Sequence, residues 1–343
     1  MPTFCRHNRF IERCPICSKD LPGSAPSAPV RAKRPASGAS KRPRAGRTAR
    51  HEPMRVSREG RAEDDGFRSP LVPGIRAAAD AERLAAEIAF SSGRLLALAA
   101  DPPGLYGEAR ALLSTDRERA SWVCFLIAYL GPLQDVEDPF AGIRVALAAM
   151  PGPDAPIAAE ALEDPAAIPI GPRGSHDPVR AGETLSAYRQ WVQRAGGAPA
   201  VASATQAAAF QGDDAWTAER RFERLFERLA LPGFGRTGRY ELLVTLGRLG
   251  AYELRADSLH LGGVHGSSIE DPTIVAAKRV FGIGDPLLLD RRAAALAQAV
   301  AVPVETLDLA LANWAASDRA TMGFPDETAD DGAQKAALDA LGL

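Results

Sequence analysis

Beyond residue 76, apolar residues recur every three or four positions along most of the chain. That spacing gathers them on one face of a helix. It predicts helices over 80–99, 106–114, 116–130, 141–150, 183–194 and 216–230, another from 236 onward, then 272–281, 290–300 and 304–315. The stretch 116–130 is the most apolar of these and reads as a buried helix, with Cys124 as a core residue. Asp271 followed by Pro272 is a helix start, because the aspartate caps free N–H groups and proline fits the first helical position. Residues 151–177 are rich in Pro and Gly and read as a long loop, and 195–199 as a break. No repeat of 20–50 residues is present. The fold class expected is all-α, with one helical domain over 76–325, followed by an acidic tail and a short C-terminal helix over 326–343.

Residues 20–75 break this pattern. They are rich in Pro, Gly, Ser, Ala and Arg and poor in large apolar side chains. Such a stretch buries too little surface to offset chain entropy and reads as a disordered linker. Its charge is one-sided: residues 31–61 hold 11 Lys/Arg against Glu52 and Glu59. Of the chain's 41 basic and 43 acidic residues, 26 and 39 lie in 62–343. A basic arm therefore precedes an acidic body, and the arm is the part suited to attract phosphates. The longest apolar stretch, around 122–133, is too short to span a bilayer. The N-terminus lacks the apolar core of a signal peptide. A cytoplasmic, monomeric protein is expected.

Residues 1–19 add candidate chemistry. Cys5, His7, Cys14 and Cys17 form C-x-H-x6-C-x-x-C. Thiolates and an imidazole at this spacing suit tetrahedral zinc with all four positions closed. The expectation is a structural zinc knuckle, with His51 as an alternative to His7 and no position open for catalysis.

The most specific stretch is Leu231-Pro232-Gly233-Phe234-Gly235-Arg236-Thr237-Gly238, between two apolar-periodic runs. The glycines permit a tight bend, and the second run then begins with free N–H groups pointing at one place. That arrangement suits a phosphate. A plain helix–helix connection in an all-α core satisfies the same pattern.

The stretch resembles the hairpin of the helix-hairpin-helix DNA glycosylase superfamily, over roughly residues 115–320. In that superfamily an aspartate follows the second helix. Counting Leu231 as position one, Asp257 falls at position 27, the spacing of the alkylated-base branch. Asp271 competes, since Asp271-x-Thr273-Ile274 loosely echoes the superfamily's Asp-Thr-His-Val. Its distance from the hairpin requires an insertion, so Asp257 ranks first and Asp271 second. A structural cap or loop acid is the remaining reading of either.

The resemblance implies DNA contacts from Leu231, Gly233, Phe234, Gly235, Arg236, Thr237 and Gly238. It also places Gln134, after the buried helix, near DNA. Thr237 stands where strand-cutting members carry lysine, so the Schiff-base amine is absent. The superfamily's iron–sulfur cysteines are missing too. Together these imply a monofunctional glycosylase that flips out a modified or damaged base and leaves an abasic site. A carboxylate beside the sugar would stabilise its oxocarbenium character.

Within the superfamily, the N-terminal C-R-H-N-R-F…C-P-I-C element and long linker resemble the alpha-glutamyl/putrescinyl thymine pyrophosphorylase branch, linked to hypermodified phage bases. That branch implies removal of such a base or a transfer on it, and would suit bacterial defence against phage. A non-catalytic DNA-binding module is the third reading. Trp122, Tyr129, Trp191, Tyr240 and Tyr252 are candidates for aromatic pocket walls against which a base could stack.

Overall fold

The computed structural model describes residues 62–154, 168–195, 205–262, 271–282 and 284–343. All belong to one unit, Ser57–Leu343. The expected zinc ligands, the basic stretch and most of the expected linker lie outside the described residues. Among the described residues the regular elements are helical and no strand occurs.

The apolar spacing places the helices as expected. α1 spans Ala78–Ala100, α2 Gly104–Leu112, α3 Arg117–Leu130 and α4 Ala141–Ala149. α5 is Ala181–Ala195, α6 Gln206–Gln211, α7 Ala218–Arg228 and α8 Arg236–Arg248. α9 is Pro272–Phe281, α10 Pro286–Val300, α11 Thr306–Ala315 and α12 Asp331–Leu341. The caps are the residues whose short side chains compete for backbone N–H groups. Asp116 accepts from Arg119 N at 2.9 Å, Thr217 from Arg220 N at 3.3 Å and Asp285 from Leu288 N at 3.0 Å.

α3 is the axle of the domain: every residue from Ala120 to Leu130 is buried. It meets α2, α4, α6 and α8. α1 packs on α11 and α12, and α9 on α11. Phe125, Tyr129, Tyr188 and Phe234 form an aromatic row in the core, with Phe125 and Tyr188 stacked at 4.0 Å and Phe234 5.3 Å from Phe125. α7 contributes Phe222, Leu225 and Phe226, all on its buried side.

Three differences from the sequence reading have physical causes. Val72 and Ile75 fall in the stretch read as linker, yet they are buried in the core, and Phe67 and Leu71 pack against it. Four apolar residues among many polar ones sufficed to anchor this segment. α6 was not expected, because six residues are too few to show a period. α12 is part of the domain: Ala333, Ala337 and Leu341 are buried on one side of it. Asp330 receives Ser92 Oγ at 2.9 Å, fastening the helix to α1. No described helix is long and apolar enough to cross a membrane.

Candidate functional site

The Leu231–Gly235 bend joins α7 to α8, as the two apolar runs require. Gly233 has φ +70°, and a Cβ there would strike Thr184 Oγ1. Only glycine meets both demands. Gly235 is exposed, with open space where a side chain would stand. No side chain caps α8, so its first-turn N–H groups are not met by their own N-cap residue. Arg239 braces the bend from behind. Its guanidinium donates to Phe226 O at 3.0 Å and lies over the Phe226 ring at 4.3 Å. Burial, reinforced by nearby Arg236, pushes Arg239 down to about 10.

Arg236 turns away from the surface and is fully buried. Its Nε donates to Asp271 Oδ2 at 2.9 Å and its Nη2 to Asp271 Oδ1 at 3.2 Å. Nη2 also reaches Asp308 Oδ1 at 2.6 Å, and Nη1 donates to Leu259 O at 2.9 Å. Arg173 closes the group by donating to Asp308 Oδ2 at 2.7 Å. Two cations and two anions thus neutralise one another in a dry setting, where each depends on its partners.

Asp271 sits at the start of α9 and beside the start of α8. Oδ1 caps α9 through Thr273 N at 2.9 Å and Ile274 N at 3.3 Å. Oδ2 accepts from Thr237 Oγ1 at 2.8 Å. Burial alone would raise this carboxyl; Arg236, then Thr237 and Arg173, more than reverse that and hold it below 3.8. It is a fixed carboxylate at neutral pH.

Asp257 stands differently. It is exposed, and its carboxylate takes no hydrogen bond among the described residues. Of the two candidate acids, the hairpin residues Arg236 and Thr237 bond Asp271. Just after Asp257, Asp290 accepts Leu259 N at 3.0 Å and Leu261 N at 3.2 Å.

The other expected site residues divide. Gly233, Gly235 and Thr237 lie at the bend with some exposure, and Leu231 packs partly against the core. The side chains of Phe234 and Arg236 point inward, so the expected DNA contacts of these two do not arise from their side chains. Gly238 is buried, and a Cβ there would strike Ser175 Oγ and approach the Phe234 ring. Gln134 donates to the Arg319 carbonyl, a structural use.

The aromatic candidates are core residues. Trp122 donates to Met150 O at 2.8 Å, Tyr240 to Ser258 O at 3.1 Å, and the Tyr252 hydroxyl pairs with Ser121 at 2.8 Å. Tyr129 and Trp191 are buried in the aromatic row.

Sequence reasoning missed Arg173, Ser175, His176 and Asp308. The first three lie in Gly171–Asp177, at the end of what reads as a long loop. This segment is tied to the end of α3 by Gly171 N to Leu130 O at 3.0 Å and Ser175 N to Tyr129 O at 2.8 Å. His176 meets the Tyr129 ring edge-on at 5.0 Å. A visible clue to Asp308 was a lone charge in the apolar run Thr306–Ala315. Away from the hairpin, a cavity of about 520 Å³ is lined by Glu63, Asp64, Arg76, Asp80 and Trp314, among others, and by none of the residues of this site.

The site is thus a pinned carboxylate beside an uncapped helical bend in an all-helical domain. Residues 174–324 match the family model of alpha-glutamyl/putrescinyl thymine pyrophosphorylase clade 3, which bears out the resemblance to that branch. The matched segment takes in the bend, Asp271 and Asp308 and begins one residue after Arg173. No curated protein and no solved structure matches the chain.

Proposed function

We propose that this protein is an enzyme acting on a modified thymine in DNA, and that it exchanges a group on that base instead of excising the base. The observation that carries this reading is the family match over residues 174–324, within which Asp271 is held as a fixed carboxylate. An excision in which the carboxylate deprotonates the attacking water calls for one able to take up a proton. Asp271 already receives five donors and its carboxyl lies below the usual range, which makes it a poor base. A fixed negative charge suits a step in which positive charge grows on carbon as an anion departs.

The family's description supplies that anion. In the exchange, the bond between the thymine methyl carbon and a pyrophosphate oxygen breaks, and pyrophosphate leaves with the electron pair. The nitrogen of glutamate or putrescine bonds to the same carbon and releases one proton to solvent. Asp271 would face the carbon, and the amides of Gly235 and the first turn of α8 would hold the neighbouring phosphodiester.

The test uses the full chain, DNA bearing 5-(pyrophosphoryloxymethyl)uracil, and glutamate or putrescine. Pyrophosphate release, with the aminated thymine found by mass spectrometry of the nucleosides, is the expected result. Abasic sites without pyrophosphate release would replace exchange by excision. Neither product, with DNA still bound, would leave a binding module.

We further propose that Cys5, His7, Cys14 and Cys17 hold one structural zinc. Elemental analysis of the purified chain should give about one zinc per protein, and Cys14→Ser should lose most of it. A metal content that Cys14→Ser leaves unchanged rules the site out.

A further inference from the structure

One apolar side chain stands far out of the surface beside the bend. Val179 is 94% exposed, more than Leu287 at 68% or Leu96 at 57%, the next most exposed large apolar residues among those described. Single exposed apolar residues are common on protein surfaces. The support under Val179 sets it apart. It is the middle residue of the short turn Pro178–Arg180. Asp177 caps that turn, its Oδ1 accepting Val179 N at 3.0 Å and its O accepting Arg180 N at 3.0 Å. Pro178 fixes the backbone on one side. On the other, Arg180 bonds Glu183 at 3.1 Å. A β-branched side chain on such a base has little rotational freedom.

The turn is also fastened to the bend. Thr184 Oγ1 lies 2.7 Å from Pro232 O and 3.0 Å from Arg180 O, within donating distance of both. The Cβ that Gly233 lacks would lie 3.5 Å from Arg180 Cβ. Whatever the bend grips, Val179 is therefore presented to it at a fixed offset.

We infer that Val179 is a wedge that enters the base stack when the target thymine is turned out of a duplex. This rests on the proposed action on DNA. Chemistry on a base within a duplex requires the base to leave the stack, and an apolar side chain pushed between base steps takes over the stacking area lost. Grip at the bend and insertion one turn away are then parts of one rigid unit. Val179 positions the substrate and takes no part in bond making.

The experiment uses the full chain, a duplex carrying 2-aminopurine next to the target thymine, and the same strand unpaired. The wild type should raise 2-aminopurine emission in the duplex. Val179→Ala and Val179→Asp should lose most of that rise and lower the duplex-to-single-strand rate ratio roughly tenfold, while Val179→Ile keeps both. Because the side chain is exposed, the variants should fold as the wild type does, checked by thermal unfolding. Equal emission from wild type, Val179→Ala and Val179→Asp overturns the wedge, as does a wild type that raises no emission. Emission is read without turnover, so failure of the exchange reaction and failure of the wedge are separate outcomes.

Discussion

Arg236→Met should lower the stability of the helical domain by about 3–5 kcal/mol, read as a shift in the urea unfolding midpoint. The side chain it replaces is fully buried and holds Asp271 and Asp308 at once. Methionine fills similar volume, so the loss measures charge, not a cavity. After the change only Arg173 is left to compensate two buried carboxylates, and it contacts Asp308 alone. Arg236→Lys should recover little, since one ammonium cannot present the fork that spans both acids.

The sign of the pH dependence follows. In the wild type the Asp271 carboxyl is held below 3.8, so its contribution is present above that value and is lost as pH falls through its lower folded value. In Arg236→Met the group that held it low is gone, burial dominates, and the penalty applies when the carboxylate is charged. The gap between variant and wild type should therefore widen as pH rises from acid to neutral. Adding Asp271→Asn to Arg236→Met removes one stranded charge and should restore part of the midpoint. Unfolding midpoints that do not respond to the second change would contradict the coupling.

Asp271→Asn should reduce turnover on modified-thymine DNA by about 10²–10³-fold, the scale expected when a preorganised charge is removed from a reacting centre. Asparagine still offers one oxygen to Thr273 N and Ile274 N, so the start of α9 keeps a cap. DNA affinity, set by backbone groups at the bend, should change little. Asp257→Asn is the contrast: an exposed carboxylate with no bond to the hairpin should be dispensable, with turnover within about twofold of wild type. If Asp257→Asn abolishes turnover and Asp271→Asn does not, Asp257 is the functional acid and Asp271 a structural one.

Most helices were legible because burial imposes a period. Phe222, Leu225 and Phe226 repeat at the helical spacing, and the Pro-Gly-Phe-Gly bend announces itself through residues with few other uses. The carboxylate was harder to read. The contact of Asp271 with Thr237 joins positions 34 residues apart, which a fixed spacing pointing to Asp257 does not reveal. Arg236 looked like a surface cation because an arginine after a glycine bend carries no sign of its partners. Those partners, Asp271 and Asp308, lie 35 and 72 residues further along. Ser175 and His176 were hidden in a stretch with no period at all. What sequence reading missed consists of contacts between distant segments, which periodicity does not encode.

The four-charge group around Arg236 also sets an order of events during synthesis. Its members are spread from Arg173 to Asp308, so the anchor for Asp271 is incomplete until α11 has left the ribosome. A nascent chain ending before that point holds a hairpin and a carboxylate with only part of their restraint. The proposed chemistry would thus arise only once α11 has been made, and products interrupted before it should be catalytically silent.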